Sequence, residues 1–167
     1  SFVLALDKAL LDAGVTLWLD TLVCMPVLQG RRVVGLEVEN KSGRGLVRAD
    51  CVIDATGDAD IAYRAGAECA KGENWLSLWA LESSRTRMEE AVENPTARRM
   101  LGGVRVGAGA SGKGHPPGML TFDGTKGVEV SRFVLEGRRL LREHYTALYA
   151  EEGPDHRHRH FPIALPS

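Results

Sequence analysis

The chain has 167 residues, 44% of them hydrophobic and 26% charged, which is the composition of a globular domain with a substantial core. Its formal net charge of −1 gives no electrostatic reason to expect nucleic acid or an anionic membrane as a partner. No apolar run approaches the roughly 18 to 20 residues that span a bilayer, and residues 1–14 do not resemble a signal peptide. A cytoplasmic location is therefore expected, with Cys24, Cys51 and Cys69 as reduced, structural thiols.

Apolar spacing predicts the elements of the first 70 residues. Apolar residues recur three and four positions apart over 2–13, which predicts a helix that ends at Gly14. Strands are predicted over 15–20, 21–28, 32–39 and 46–54, with a turn at 41–45. The apolar run Cys51–Ile53 is typical of a strand that is covered on both faces.

The pattern changes beyond residue 70, where helical periodicity becomes more common. The predicted elements are a strand over 75–83, a polar helix over 85–94 that stops at Pro95, a short helix reaching Leu101, mainly loop over 102–118, and a long amphipathic helix over about 128–151. The tail, 153–167, is rich in Pro and His.

The run Asp54-Ala55-Thr56-Gly57-Asp58 is the strongest functional motif, because an apolar strand there meets a Gly-Asp turn and a predicted short helix over 61–66. A carboxylate at such a junction can accept hydrogen bonds from ligand hydroxyls. Free backbone N–H groups at the start of the helix favour phosphate oxygens. The simpler interpretation is an ordinary turn in which Asp58 caps the helix.

This order of helix, strand, three-stranded meander and Gly-Asp turn resembles the later part of the FAD-binding domain in FAD-dependent oxidoreductases of the glutathione-reductase type, over residues 2–70. The resemblance implies an α/β fold class, α+β within this chain. Residues 1–70 would form a partial FAD/NAD(P)-binding Rossmann-like domain with an antiparallel β-meander. Residues 71–167 would begin a mainly helical substrate or cap domain. The implied activity is hydride or electron transfer between FAD and an unknown small-molecule substrate in a bacterial enzyme.

The resemblance also implies a set of cofactor-binding residues. Ala55, Thr56 and Gly57 would let the backbone approach the dinucleotide, with Gly57 near the pyrophosphate, and Asp58 would hold a ribityl hydroxyl. The backbone of Val23 would contact the adenine edge, or Val23 simply packs within its strand. The family's N-terminal G-x-G-x-x-G is not found before the turn, so the chain is expected to be a fragment with an incomplete FAD site. Its exposed sheet edges could then self-associate.

Three further patterns suggest other functions. Gly107–Gly112 matches G-x-G-x-x-G literally and, with Lys113, nearly matches a P-loop, but Gly114-His115-Pro116-Pro117-Gly118 cannot begin the helix that both motifs need. We therefore expect a flexible loop there. His156–His160 alternates His with Arg, so a solvated, partly disordered segment is favoured over a metal site. His115 could be an acid or base, but no catalytic residue is predicted, and a non-enzymatic α+β binding module is the alternative function.

Overall fold

The computed structural model describes residues 2–70, 72, 74–94 and 101–165, except for the side chains of residues 157 and 158. Contacts divide the chain into two compact units, Ser1–Ala70 and Lys71–Ser167. Each unit combines helix with a three-stranded antiparallel sheet, so the fold is mixed α+β. In the described part of the chain, every helix is either too short or too polar to span a bilayer.

The first unit opens with helix α1, Phe2–Asp12, as the apolar spacing predicts. Gly14, with φ of +75°, ends it in the left-handed conformation that glycine adopts readily. The strand predicted over 15–20 is wrong: this segment pairs with no strand in the described ranges, and it closes with a turn in which Asp20 has φ of +49°. Alternation alone did not produce a strand, because a strand requires a hydrogen-bonded neighbour.

A three-stranded meander follows, which confirms the predicted hairpins. Its strands are β1, Leu22–Gln29, β2, Arg32–Asn40, and β3, Gly43–Arg48, paired in that order. The β2–β3 turn is shorter than predicted, because Asn40 Oδ1 accepts from the Ser42 amide at 2.9 Å and Gly43 takes φ of +98°. Val38 pairs with Val23 and is buried.

The buried strand predicted to reach residue 54 is wrong beyond Arg48. The Ala49 amide still donates to the Val34 carbonyl at 3.2 Å, but Cys51–Asp54 has no strand partner among the described residues. Ile53 is 88% exposed, so its apolar side chain is not covered. A short helix, α2, Asp60–Arg64, then follows the Gly-Asp turn, close to the predicted 61–66.

The second unit is built on a three-stranded sheet, of which the sequence predicts one strand. Strand β4, Ser77–Ser83, lies between β5, Gly102–Gly107, and β6, Phe161–Ala164. The strand over 75–83 is confirmed, whereas the loop predicted over 102–118 is wrong for its first six residues. Gly102, Gly103 and Gly107 weaken strand propensity, but pairing with β4 outweighs that cost. This unit therefore contains a three-stranded sheet in addition to its helices.

The two longest helices among the described residues of the second unit flank its sheet in sequence. Helix α3, Arg85–Glu93, begins where the Ser84 hydroxyl accepts from the Arg87 amide at 3.2 Å; residues 95–100, including the predicted short helix, lie outside the described ranges. Helix α4, Gly127–Glu152, confirms the long amphipathic helix and packs on the sheet through Leu141. Leu141 forms a core with Leu78 and Ala80.

Candidate cofactor site

The turn between the meander and α2 is organised by one carboxylate, that of Asp54. Its Oδ1 accepts from the Thr56 amide at 3.1 Å and from the Thr56 hydroxyl at 2.7 Å. Its Oδ2 accepts from the amides of Ile61 at 3.0 Å and Ala62 at 2.8 Å, in the first turn of α2. Asp54 therefore joins the end of the meander to the start of the helix.

These hydrogen bonds lower the pKa of Asp54, because each one favours the ionised carboxylate. The Ala62 amide contributes most, followed by the Thr56 side chain and amide, against a smaller opposing effect of desolvation. Asp54 was not among the predicted contact residues. The signal that could have found it is local: Asp followed two positions later by Thr, before a helix, is typical of an Asx turn.

The expectation of free N–H groups at the start of α2 is wrong. Besides the two amides bound by Asp54, the Asp60 amide donates to the Thr56 hydroxyl at 3.1 Å. The amides of residues 57–59, just before the helix, make no hydrogen bond among the described residues. Any backbone contact of this turn with a phosphate would therefore come from 57–59 rather than from the helix itself.

The backbone of this turn is accessible at Gly57. Gly57 has φ of +94°, and a Cβ placed on it would meet nothing within 4 Å. Ala59, with φ of +56°, also adopts the left-handed conformation, which costs a residue with a side chain about 1 kcal/mol. Gly57 is thus required by the path of the chain, and it leaves room for another molecule to approach the backbone.

Asp58 does not cap α2, so the simpler interpretation of this residue is wrong. The residue at the N-cap is Ala59, which offers no side-chain hydrogen bond. The Asp54 carboxylate accepts hydrogen bonds from the first-turn amides of Ile61 and Ala62 instead. The Asp58 side chain is exposed, and it makes no hydrogen bond or ion pair with any described residue. Ala55 and Thr56 are exposed as well, so the four turn residues form one accessible surface.

Val23 lies in the same unit, on the edge strand β1, where it is half-buried opposite Val38. The adjacent residue Cys24 accepts a hydrogen bond from the Arg64 guanidinium through its carbonyl, which links β1 to α2. Packing against Val38 is sufficient to explain Val23 structurally. Its predicted contact with adenine therefore stays a prediction.

The loop with the G-x-G-x-x-G pattern is folded on itself. The amide of Ala108 donates to the Leu76 carbonyl at 2.6 Å, and that of Gly109 donates to the Lys113 carbonyl at 2.9 Å. A Cβ at Gly112 would lie 2.8 Å from the Trp75 ring. The strand β5 precedes this loop, but no helix follows it directly, so it lacks the phosphate-binding arrangement. The flexibility expected of this loop stays a prediction.

His115 holds that loop together. Its Nδ1 accepts from the Leu76 amide at 2.9 Å, so in the neutral ring the proton is on Nε2, which lies 2.9 Å from the Met119 carbonyl oxygen. With both ring nitrogens engaged, His115 links this loop to residue 76, and its role as an acid or base stays a prediction.

The backbone of the His156–His160 segment forms regular structure, which corrects the solvated, partly disordered segment predicted for it. It forms a short helix, α5, His156–Arg159, that leads into β6, and His156 is buried. His156 and His160 are stacked, with ring centroids 6.0 Å apart. Among the described side chains, no group of three or more His, Cys, Asp or Glu residues is arranged to hold a metal ion.

A cleft of about 340 Å³ lies elsewhere in the first unit, near the β1–β2 turn, and contains none of the predicted contact residues. Its lining residues are Gln29, Arg32, Val34, Arg48, Ala49 and Asp50. Among the described residues, the candidate site is therefore an exposed turn that lies outside this cleft.

Comparison with known proteins identifies the family. Neither the curated proteins nor the solved structures gave a match to this chain. A family model, that of the FAD dependent oxidoreductases, matches residues 1–160, which include the meander, the Gly-Asp turn and nearly all of the second unit. The chain therefore belongs to the FAD dependent oxidoreductase family, whose cofactor is FAD.

Proposed function

We propose that residues 55–58 form the part of an FAD site that holds the pyrophosphate and the ribityl chain. The enzyme would transfer hydride or electrons between FAD and a small-molecule substrate. The observation that carries this proposal is the exposed Asp58 carboxylate, which has no partner among the described residues while Asp54 satisfies the adjoining helix. A turn that needed Asp58 only for its own stability would bond it internally.

The residues present fit the cofactor. Gly57 leaves open space beside its backbone, the amides of 57–59 are available for phosphate oxygens, and an ionised Asp58 can accept a hydroxyl proton in a hydrogen bond. When bound, the flavin ring supplies the redox chemistry, and the protein positions it. In this proposal the first unit belongs to the FAD-binding domain and the second unit to the substrate or cap domain.

The test compares Asp58→Ala with Glu68→Ala in the protein as its gene encodes it. Glu68 is an exposed acid outside the turn, so it controls for loss of surface charge. Loss of a hydrogen bond to a charged group, about 1.5 to 3 kcal/mol, predicts about 10- to 100-fold weaker FAD binding for Asp58→Ala alone. The measurements are flavin absorbance after purification and fluorescence titration of the apoprotein.

Equal FAD affinity in the two variants would contradict the role of Asp58. A wild-type protein that neither retains nor rebinds flavin would contradict the proposal as a whole and would favour the non-enzymatic binding module. Retained FAD with normal affinity in Asp58→Ala, but a lower affinity in Gly57→Ala, would shift the contact from the carboxylate to the backbone.

A further inference from the structure

A cluster of acidic and imidazole side chains lies in the second unit, away from the candidate cofactor site. It forms where β4, the end of α4 and α5 come together. Glu82 of β4 is 9% exposed, and His156 of α5 is 8% exposed. The other members are half-buried: Tyr145, Glu152 and His160.

His160 lies between two carboxylates. Its Nδ1 is 3.7 Å from Oε1 of Glu82, and its Nε2 is 3.4 Å from Oε1 of Glu152. A neutral imidazole carries one N–H and one lone pair, so one of its nitrogens would face a carboxylate oxygen without a proton between them. An imidazolium carries two N–H groups and matches both carboxylates. The arrangement therefore suits the charged ring.

The remaining contacts of the two carboxylates strengthen this conclusion. The Tyr145 hydroxyl donates to Oε2 of Glu82 at 3.1 Å, which leaves Oε1 for His160. Oε2 of Glu152 lies 3.5 Å from Nδ1 of His156, close enough for an ion pair but too long for a made hydrogen bond. Both of those atoms are buried and lack a hydrogen-bond partner. A proton on His156 would give this pair opposite charges.

The charged groups on the surrounding elements differ in how close they come to the cluster. On α3, Arg85 pairs with Glu89 at 2.6 Å, whereas the Arg87 guanidinium lies against Gly102 of β5, which pairs with Glu82, and so adds a positive charge on the Glu82 side of the sheet. Asp155 and Arg159 are exposed, and on α4 the rings of His144 and Tyr149 meet Tyr145 and His156 respectively. Among the described side chains, His160 is the group that lies within 4 Å of both Glu82 and Glu152.

This cluster lies at the attachment point of the C-terminal segment. After Gly153, the chain returns through α5 and adds β6 to the edge of β4, over Phe161–Ala164. That pairing is short, is irregular next to Glu82, and includes Pro162, which has no amide proton to donate. Few backbone bonds thus hold β6, and the contacts of His160 with Glu82 and Glu152 add to its attachment.

We propose that His160, as an imidazolium bridging Glu82 and Glu152, fastens residues 153–164 to β4 and α4, and that loss of its proton loosens this segment. The attachment is strongest where the imidazole is charged and the carboxylates are ionised. Loss of the His160 proton releases β6 first, because β6 has the least backbone pairing in the sheet.

Hydrogen exchange followed by mass spectrometry tests this proposal on the full chain. The peptide covering 161–165 is compared with one covering 102–107, which is β5 on the opposite edge of the same sheet. After correction for the intrinsic effect of pH, protection of 161–165 relative to 102–107 falls by about tenfold between about pH 5.5 and about pH 8. An unchanged ratio would overturn the proposal.

Variants test whether the pH dependence of this protection comes from His160 between Glu82 and Glu152. His160→Gln loses most of the pH dependence and has low protection of 161–165 throughout, whereas His144→Gln, whose ring contacts Tyr145 but no carboxylate among the described residues, keeps the wild-type response. Glu152→Gln provides a second route if His160→Gln does not fold, because it removes the charge and keeps the shape. Wild-type pH dependence in either His160→Gln or Glu152→Gln would contradict the proposal.

Discussion

The Thr56 hydroxyl lies 2.7 Å from Oδ1 of Asp54 and donates to it, while the same hydroxyl accepts from the Asp60 amide at 3.1 Å. The Thr56 hydroxyl thus links the Asp54 carboxylate to the first amide of α2. Thr56→Val keeps the shape and removes both bonds, so we expect the free energy of unfolding to fall by about 0.5 to 1.5 kcal/mol. Thr56→Ser keeps the hydroxyl and serves as the control. If urea unfolding shows the same loss of unfolding free energy in both variants, the hydroxyl does not provide this link.

The lowered pKa of Asp54 predicts that the stability contributed by this turn decreases in acid. A carboxyl whose pKa is lower in the folded than in the unfolded state stabilises the fold above its ordinary value, near 4, and this stabilisation is lost as the pH falls through the lowered value. Wild type should therefore exceed Asp54→Asn in stability near neutral pH, and the two should converge in acid. Urea unfolding from about pH 7 down to about pH 3 measures the difference. A difference that is independent of pH would show that shape, and not charge, is what Asp54 provides.

Gly57 and Gly30 form a matched pair for separating backbone strain from cofactor contact. Both have positive φ, +94° and +60°, and a Cβ on either meets nothing within 4 Å. Substitution by Ala should cost each about 1 to 2 kcal/mol of stability, because alanine is strained in the left-handed region. FAD binding should fall for Gly57→Ala alone. If Gly30→Ala reduces FAD affinity equally, the effect is one of stability.

Gly137 permits the close contact between α4 and the sheet. A Cβ at this position would lie 2.8 Å from Cβ of Leu78, an atom that cannot move without the β4 backbone. Gly137→Ala should therefore destabilise the second unit by about 1 to 3 kcal/mol, despite a gain of about 1 kcal/mol in helix propensity. Gly127→Ala, at the open start of the same helix, should be neutral or stabilising. Thermal unfolding of both variants decides between packing and propensity.

Burial, followed by the nearby Glu82 carboxylate and its hydrogen bond, raises the pKa of Tyr145 to about 12. The neutral phenol is thus favoured by the fold, so its stabilising effect is present below the ordinary value of about 10 and is lost as the pH rises towards 12. Tyr145→Phe should be less stable near neutrality, because Glu82 loses a donor. It should also be less sensitive to alkali than wild type. Parallel alkaline unfolding curves for the two proteins would contradict this assignment.

Local patterns were reliable where one element satisfies its own hydrogen bonds or pairs with the next one along the chain. The α1 and α4 periodicities and the β1–β2–β3 hairpins are of this kind. Prediction failed where a segment needed a partner distant in sequence: 15–20 and 51–54 carry strand-like residues without a described neighbour, while glycine-rich 102–107 became a strand because β4 pairs with it. Strand formation depends on the neighbour as much as on the residues.

Some features of the candidate site were likewise predictable from the sequence, and others were not. The sequence by itself determined the Ala55-Thr56-Gly57-Asp58 motif and, through its order of elements, the link to FAD-dependent oxidoreductases. Only the tertiary structure decided that Asp54 organises the turn and leaves Asp58 without a partner among the described residues, and that His160 lies between Glu82 and Glu152. The physical reason is that hydrogen bonds and ion pairs depend on distances between atoms, and those distances are set by packing that no local sequence pattern specifies.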